Sequence, residues 1–244
     1  MVRRGLNAAM DIILPRVCIV CGRRLLADEK HICLVCLADM PMTRFWEQSH
    51  NVMADKFNGI IQEKGGYGER YAFAAALFFY HNEADYRHIP YQIKYHGNIQ
   101  AGHYFGEMLG KKLAASPFFG DVDVVIPVPL HWARRWKRGY NQAQVIAEGV
   151  ADTVGCRMMN DILKRHRRTK TQTKVAVEKK SHNVEGAFRL SSDAADRLAG
   201  VTHVLLIDDV FTTGSTLHEC FRALRTVFPE VRISVATLGF VGRA

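Results

Sequence analysis

The sequence VLLIDDVFTTGST occupies residues 204–216 and decides the fold class. Residues 204–207 form a short, continuous apolar run, which is typical of a buried strand in a parallel sheet that is covered on both faces. Residues 217–228 carry apolar side chains at helical spacing. We therefore expect an α/β fold, with the polar turn at the carboxyl edge of the sheet, where such folds bind ligands.

The turn between this strand and this helix combines carboxylates, hydroxyl groups and a glycine. The start of the helix offers unpaired backbone N–H groups to an anion, and the hydroxyl groups add further donors. Gly214 lets the backbone turn tightly and approach the anion. Asp208 and Asp209 would repel a phosphate, but they suit the vicinal hydroxyls of a ribose. The pattern predicts a sugar phosphate ligand, the alternative being an ordinary solvated acidic turn. The expected contacts are Asp208, Asp209, Thr212, Thr213, Gly214, Ser215 and Thr216.

This segment resembles the fingerprint with which type I phosphoribosyltransferases bind 5-phosphoribosyl 1-pyrophosphate (PRPP). The resemblance implies that Asp208 and Asp209 hold the ribose 2- and 3-hydroxyls, and that residues 212–216 wrap the 5-phosphate. Magnesium is implied as a cofactor that enters with PRPP, because this ion usually binds through substrate phosphates and few protein carboxylates.

The length and composition of the chain set its broad class. With 244 residues, 48% of them hydrophobic, the chain can bury one main domain and a small accessory one. No apolar run approaches the ~20 residues that cross a bilayer. Residues 5–14 are interrupted by Asp11 and stopped by Pro15, which favours a short helix over a signal peptide. We expect a cytoplasmic protein without membrane insertion, whose closely spaced cysteines bind metal.

Two C-x-x-C knuckles near the amino terminus predict a zinc ribbon. Cys18 and Cys21 form the first, and Cys33 and Cys36 form the second. Two intervening residues let both thiolates of a knuckle face one tetrahedral ion. A redox dithiol is the alternative for one knuckle but explains two poorly. His31 is expected to be a bystander, because four thiolates complete a structural zinc site.

The remaining sequence predicts three parts. Residues 1–45 hold the short helix and the ribbon, 46–70 form a linker that contains Gly65, Gly66 and Gly68, and 71–244 form the main domain. Strand and helix patterns alternate through that domain, which predicts a parallel sheet with right-handed crossovers. The expected strands are 71–80, 122–128, 157–160, 204–207 and 233–238, and the expected helices are 83–95, 100–115, 141–154 and 217–228.

Two basic segments carry most of the net charge of +9. Residues 131–138 follow a predicted strand and a loop that contains prolines. In phosphoribosyltransferases, the loop at this place in the chain contacts pyrophosphate. Within the second basic segment, 161–189, residues 165–188 form a long polar stretch, which is typical of a lid or of a disordered surface loop. A basic lid would stabilise the charge that develops on a departing pyrophosphate. The loop residues are Pro127, Val128, Pro129 and Leu130, and the expected lid residues are Arg165, Arg168, Thr169 and Gln172.

The order of these motifs resembles the ComF/GntX family over nearly the whole chain. The shared segments are the two cysteine knuckles, Lys94-Tyr95-His96-Gly97, the loop at 127–130 with residues 138–142, the basic stretch through 183–188, and the fingerprint. The resemblance implies a zinc ribbon fused to a type I phosphoribosyltransferase domain, with Asp208, Asp209 and Arg165 as catalytic residues.

Family members are also linked to natural transformation, which implies single-stranded DNA and competence proteins as partners. Two functions stay open at this point. The chain either transfers a phosphoribosyl group from PRPP to an unknown acceptor, or it senses PRPP or a nucleotide and grips single-stranded DNA without turnover. Trp132, Trp136 and Tyr140 lie among basic residues and could stack on bases, although ordinary packing explains them equally well.

Overall fold

The computed structural model describes residues 15–66, 68–81, 84–166 and 186–242. The short helix expected within residues 1–14 and the lid residues Arg168, Thr169 and Gln172 lie outside these ranges. The strands are β1 (Ala74–Phe79), β2 (Val124–Pro127), β3 (Arg157–Met158), β4 (Leu163–Arg165), β5 (Phe188–Leu190), β6 (His203–Phe211) and β7 (Arg232–Phe240). The helices are α1 (Leu34–Ala38), α2 (Val52–Glu63), α3 (His88–Tyr95), α4 (Ile99–Ala114), α5 (Trp132–Arg138), α6 (Gln142–Val154), α7 (Ala194–Arg197) and α8 (Ser215–Val227).

Five strands form a parallel sheet in the order β1-β7-β6-β2-β3, which confirms the predicted α/β architecture. Residues 204–207 lie in its central strand β6 and are fully buried, as expected for a strand that is covered on both faces. A separate antiparallel pair, β4 and β5, brings Arg165 opposite Phe188. No helix in the described ranges combines the length and apolar character that crossing a membrane requires.

Strand β6 is longer than the apolar run predicts. It continues to Phe211, because β7 pairs with it through Asp208, Val210 and Phe211. The acidic pair therefore lies within the strand and not in the turn that follows. Pairing with β7, which lies further along the chain, extends β6 beyond its apolar residues. Local sequence patterns do not predict pairing of this kind.

Helix α2 occupies much of the stretch 46–70 that we expect to be a linker. Asn51 caps the helix by accepting hydrogen bonds from the backbone N–H groups of Met53 and Ala54, at 3.1 and 2.9 Å. Its side-chain amide donates to the carbonyl of Ala74 in β1 at 3.0 Å. Phe57 on the same helix is fully buried. This stretch is thus packed against the sheet, while the domain boundaries 1–45, 46–70 and 71–244 stay a prediction.

Candidate functional site

The acidic pair lies where the sheet opens between β6 and β2. The two strands pair as far as Pro127 and Ile207, whereas β7 accompanies β6 to its end. The N–H group of Val128 donates to the carbonyl of Ile207 at 2.8 Å, which is the last hydrogen bond before the strands separate. Asp208 follows directly. The predicted pyrophosphate loop and the acidic pair thus border the same opening.

The two carboxylates differ in their surroundings. Successive residues of a strand point to opposite faces of the sheet, so Asp208 and Asp209 do not share one environment. Asp208 is partly exposed, and one of its oxygens accepts a hydrogen bond from the N–H group of Asp209 at 2.9 Å. Asp209 is only 4% exposed, and its Oδ1 accepts from the N–H group of Val210 at 2.7 Å.

Lys94 at the end of α3 contacts the buried member of the pair. Its Nζ lies 2.7 Å from Oδ2 of Asp209. Burial acts to lower the pKa of Lys94, but the charge and hydrogen bonding of Asp209, together with the charge of Asp208, outweigh this effect and the pKa is raised. The sequence places Lys94 in a family motif without indicating a site role, and only the fold brings it to Asp209.

The pKa of Asp208 is raised to about 7, mainly by burial of the carboxyl group and then by the negative charge of Asp209. The N–H group of Asp209 and the positive charges of Lys94 and Arg165 act in the opposite direction. Arg165, the predicted catalytic residue that ends β4, is thus one of the two cations whose charge acts on Asp208. Its guanidinium also lies over the ring of Phe188, with 5.2 Å between them.

The hydroxyl-rich loop follows β6 directly and leads into α8, as the sequence predicts. Gly214 caps this helix with a φ of +77°, and a Cβ there would lie 2.6 Å from Cζ of Phe211. The hydroxyl groups of Thr213 and Ser215 are hydrogen-bonded, with 3.0 Å between their oxygens. From α2, Lys56 donates to the carbonyl of Thr212 at 2.9 Å. The loop and the start of α8 present the backbone N–H and hydroxyl donors that an anion requires.

The loop after β2 is anchored at one end and partly exposed at the other. Val128 is buried, and its carbonyl accepts a hydrogen bond of 3.0 Å from the side chain of Asn141, which caps α6. Pro129 and Leu130 are half-buried. The loop therefore has a defined position next to the acidic pair.

One end of the predicted lid region is tied to α8. The N–H group of Gly186 donates to the buried carboxylate of Glu219 at 2.9 Å, and Arg222 contacts the same oxygen at 2.9 Å. Arg165 is the one predicted lid residue within the described ranges. Glu219 thus holds the carboxyl end of this region. The sequence does not indicate this role, because the most evident pattern of α8 is its apolar face.

The four cysteines of the knuckles form one cluster. The sulfur atoms of Cys18, Cys21, Cys33 and Cys36 all lie within 4.8 Å of one another, and Cys21 is the exposed member. Between the knuckles, the buried carboxylate of Glu29 accepts two backbone hydrogen bonds of 2.7 Å and so holds the connecting loop. Four clustered sulfur ligands fit a structural zinc site.

His31 is not a member of this cluster. Its ring packs on Tyr104 with centroids 5.4 Å apart, in agreement with the bystander role that the sequence predicts.

Comparison with known proteins finds similarities that each cover less than half of the chain. Residues 140–242 match the model of the phosphoribosyl transferase domain. The chain is 37% identical to "Competence protein F" of Haemophilus influenzae over 44% of its own length and 46% of the relative's. It is 34% identical to "DNA utilization protein YhgH" of Escherichia coli, over 42% and 43% of the two chains.

A third relative, "Competence protein ComFC" of Bacillus subtilis, is 31% identical over 47% of this chain and 43% of its own. The chain thus spans less than half the length of each of these curated relatives. The matched domain contains the acidic pair, the loop at 212–216 and Arg165. Residues 140–242 of this chain are thus similar to a phosphoribosyl transferase domain, and the chain is similar to part of each of these competence and DNA utilization proteins.

Proposed function

We propose that the protein binds PRPP and transfers its phosphoribosyl group to a nitrogenous acceptor, with release of pyrophosphate. One observation supports this proposal above all. Strand β6, the hydroxyl-rich loop and α8 follow one another directly, next to the point where β6 and β2 separate. Carboxylates, anion donors and a second loop thereby border one crevice. We place this function in the cytoplasm.

Each part of PRPP has an expected partner at this crevice. The 5-phosphate binds the N–H and hydroxyl groups of residues 212–216, and the ribose hydroxyls donate to Asp208 and Asp209. Pyrophosphate lies against the loop at 127–130 and the lid residues Arg165, Arg168, Thr169 and Gln172. Charge-assisted hydrogen bonds of this kind contribute roughly 1.5–3 kcal/mol each.

The reaction requires the bond between C1 and the pyrophosphate oxygen to break, with the electron pair leaving on pyrophosphate. The nitrogen lone pair of the acceptor then forms the new bond to C1. Arg165 would stabilise the charge that grows on the leaving group, and electrostatic stabilisation of this kind is expected to dominate. The carboxylates hold the ribose in place as C1 becomes positively charged.

The proposed function involves two metal ions, zinc and magnesium. Among the described residues, the four cysteines are the group whose ligand atoms could hold a metal ion, and sulfur ligands suit zinc and not magnesium. Magnesium would therefore bind mainly through the phosphates of PRPP, with the partly exposed carboxylate of Asp208 as an oxygen ligand of the kind it prefers. When bound, magnesium neutralises phosphate charge.

Calorimetry with PRPP and magnesium tests the binding step. The unmodified protein should bind PRPP, and the double variant Asp208→Asn with Asp209→Asn should not. Absence of binding by the unmodified protein would overturn the proposal. A screen for pyrophosphate release from PRPP against bases, amines and nucleic acids then tests transfer and identifies the acceptor.

A second candidate function is the handling of single-stranded DNA together with competence proteins, with PRPP or a nucleotide sensed without turnover. Two relatives are named as competence proteins and one as a DNA utilization protein. The structural observation that favours this function is the exposure of Trp132 and Trp136, at 70% and 89%, on the helix that follows the loop at 127–130. Exposed aromatic rings beside cations suit base stacking and phosphate contact.

Fluorescence anisotropy with a labelled single-stranded oligonucleotide tests this second function. Affinity should fall with salt at a log–log slope of about −0.7 per neutralised phosphate. Trp136→Ala should weaken binding, whereas Val52→Ala, which removes an exposed apolar side chain from α2, should not. A flat salt response, or equal affinities of the two variants, would exclude this role for α5.

A further inference from the structure

The ion pair between Lys94 and Asp209 makes the two acidic residues unequal. Both oxygens of Asp209 have partners, because Oδ1 accepts from Val210 and Oδ2 lies 2.7 Å from the Lys94 ammonium. Within the described ranges, the Asp208 carboxylate accepts one hydrogen bond, at Oδ1 from the N–H group of Asp209. One carboxylate is held firmly by the protein, and the other keeps an oxygen for a ligand.

The burial of Asp209 explains why a cation is needed beside it. Asp209 is 4% exposed, and a buried carboxylate without a partner is strongly disfavoured. A second carboxylate, that of Asp208, directly precedes it in the strand, and the two negative charges repel each other. Lys94 is 26% exposed in its side chain and offsets one of these charges. The lower negative charge of the site reduces its repulsion of a ligand that is itself a polyanion.

Lys94 belongs to a different structural element from the proposed phosphate donors. It enters from α3, whereas the loop at 212–216 and the loop at 127–130 follow β6 and β2. Its ammonium is already engaged by Asp209 at the distance of a short charge-assisted hydrogen bond. We propose that Lys94 is a positioning residue of the ribose subsite, which acts through Asp209 by keeping this carboxylate oriented and neutralised while the ribose hydroxyls bind. This inference rests on the proposed function.

Two probes distinguish this role from direct contact with pyrophosphate. PRPP with magnesium carries the ribose, the 5-phosphate and the pyrophosphate, whereas ribose 5-phosphate lacks the pyrophosphate. Calorimetry should show that Lys94→Met weakens the binding of both probes by the same factor, roughly tenfold to a hundredfold. Lys94→Arg should restore most of the affinity, because it keeps the charge. Lys111→Met, which removes an exposed lysine of α4, is the matched control and should bind as the unmodified protein does.

A double-mutant cycle tests whether Lys94 acts through Asp209. Asp209→Asn alone should weaken ribose 5-phosphate binding but keep an acceptor oxygen. In that background Lys94→Met should cause little further loss, because its partner charge has already gone. Should Lys94→Met fail to fold, as judged by its thermal transition, a large further loss on going from Asp209→Asn to the double variant would still overturn the inference, since neither variant leaves the carboxylate unpaired.

Three results would overturn the inference. Loss of PRPP affinity without loss of ribose 5-phosphate affinity would make Lys94 a pyrophosphate ligand. Fully additive losses in the cycle would mean that it acts independently of Asp209, and unchanged affinities in Lys94→Met would remove any role. If the unmodified protein binds neither probe, the proposed function itself fails, and this outcome is distinct from the other three.

Discussion

The ammonium group of Lys56 donates a hydrogen bond of 2.9 Å to the backbone carbonyl of Thr212. It joins helix α2, which lies in the stretch expected to be a linker, to the first residue of the proposed phosphate loop. The same ammonium lies 5.8 Å from the ring centre of Phe211. The shape of the loop therefore depends on a helix outside the strand-turn-helix unit that contains it.

Replacing Lys56 with methionine should loosen this loop. Because the side chain is exposed, we expect a modest loss of ribose 5-phosphate affinity, equivalent to about 1 kcal/mol. Calorimetry measures the change. Lys64→Met, at the exposed end of the same helix, is the control and should leave the affinity unchanged. Equal effects of the two substitutions would mean that the hydrogen bond to Thr212 has no role.

Gly214→Ala should be more destabilising than the same change at Gly155. Both glycines have a positive φ, +77° and +79°, so both alanines carry the strain of a left-handed backbone, about 1 kcal/mol. At Gly155 a Cβ meets no atom within 4 Å, whereas at Gly214 it would lie 2.6 Å from Phe211 and 2.8 Å from Ile60. Urea unfolding should show the difference in free energy. Equal losses would show that the loop can shift to admit the methyl group.

Asp208 should make stability depend on pH in a direction unusual for a carboxylate. Its pKa is about 7 in the folded protein and near the ordinary 3.8 in the unfolded chain. The folded state thus holds a proton that the unfolded chain releases, and the associated stability is present below pH 3.8 and lost as pH rises through about 7. Asp208→Asn should therefore gain stability relative to the unmodified protein between pH 4 and pH 8, on the order of 1 kcal/mol.

Asp123 provides a control of opposite sign for this measurement. Burial acts to raise its pKa, but hydrogen bonds from Thr202 and His203 lower it. Its contribution to stability is therefore present above the ordinary carboxyl pKa and lost as pH falls. Asp123→Asn should lose stability at pH 8, and the loss should shrink in acid. Parallel pH profiles for the two variants would contradict both assignments.

The cysteine cluster should hold about one zinc ion per chain. Cys33→Ser should remove the metal and lower the thermal stability, because the ribbon draws folding free energy from metal binding. Cys156→Ser changes a half-buried thiol outside the cluster and should retain both zinc and stability. Elemental analysis and thermal melts measure the two properties. Freshly purified, fully folded protein without zinc would disprove the assignment.

Local sequence patterns predicted the strand-turn-helix unit and the cysteine cluster correctly. The apolar run at 204–207 indicated a buried strand, and the residues after it indicated a turn into a helix, because both signals depend on neighbours in the chain. The extension of β6 to Phe211 was not predictable in this way, because it depends on pairing with β7. Asp208 and Asp209 therefore lie in a strand, with surroundings that differ more than an acidic turn would imply.

The parts of the site that depend on distant contacts escaped prediction. Helix α2 carries a local signal, since Met53, Phe57 and Ile61 recur every four residues after the capping residue Asn51. The glycines that follow it obscured this pattern. Lys94 offers no such signal, because nothing near it in the chain indicates a buried carboxylate as its partner.

One further contact has a practical consequence for anyone who prepares this protein. The hydroxyl of Tyr86 donates to the backbone carbonyl of Cys36 at 2.7 Å, and the short turn Asp85–Arg87 leads directly into α3, whose final turn carries Lys94. Purification in buffers that contain a chelator would empty the cysteine cluster and, through Cys36 and Tyr86, disturb the helix that carries Lys94. A batch prepared in this way should bind sugar phosphates poorly although every ligand-binding side chain is intact, so the metal content should be assayed before any ligand titration is interpreted.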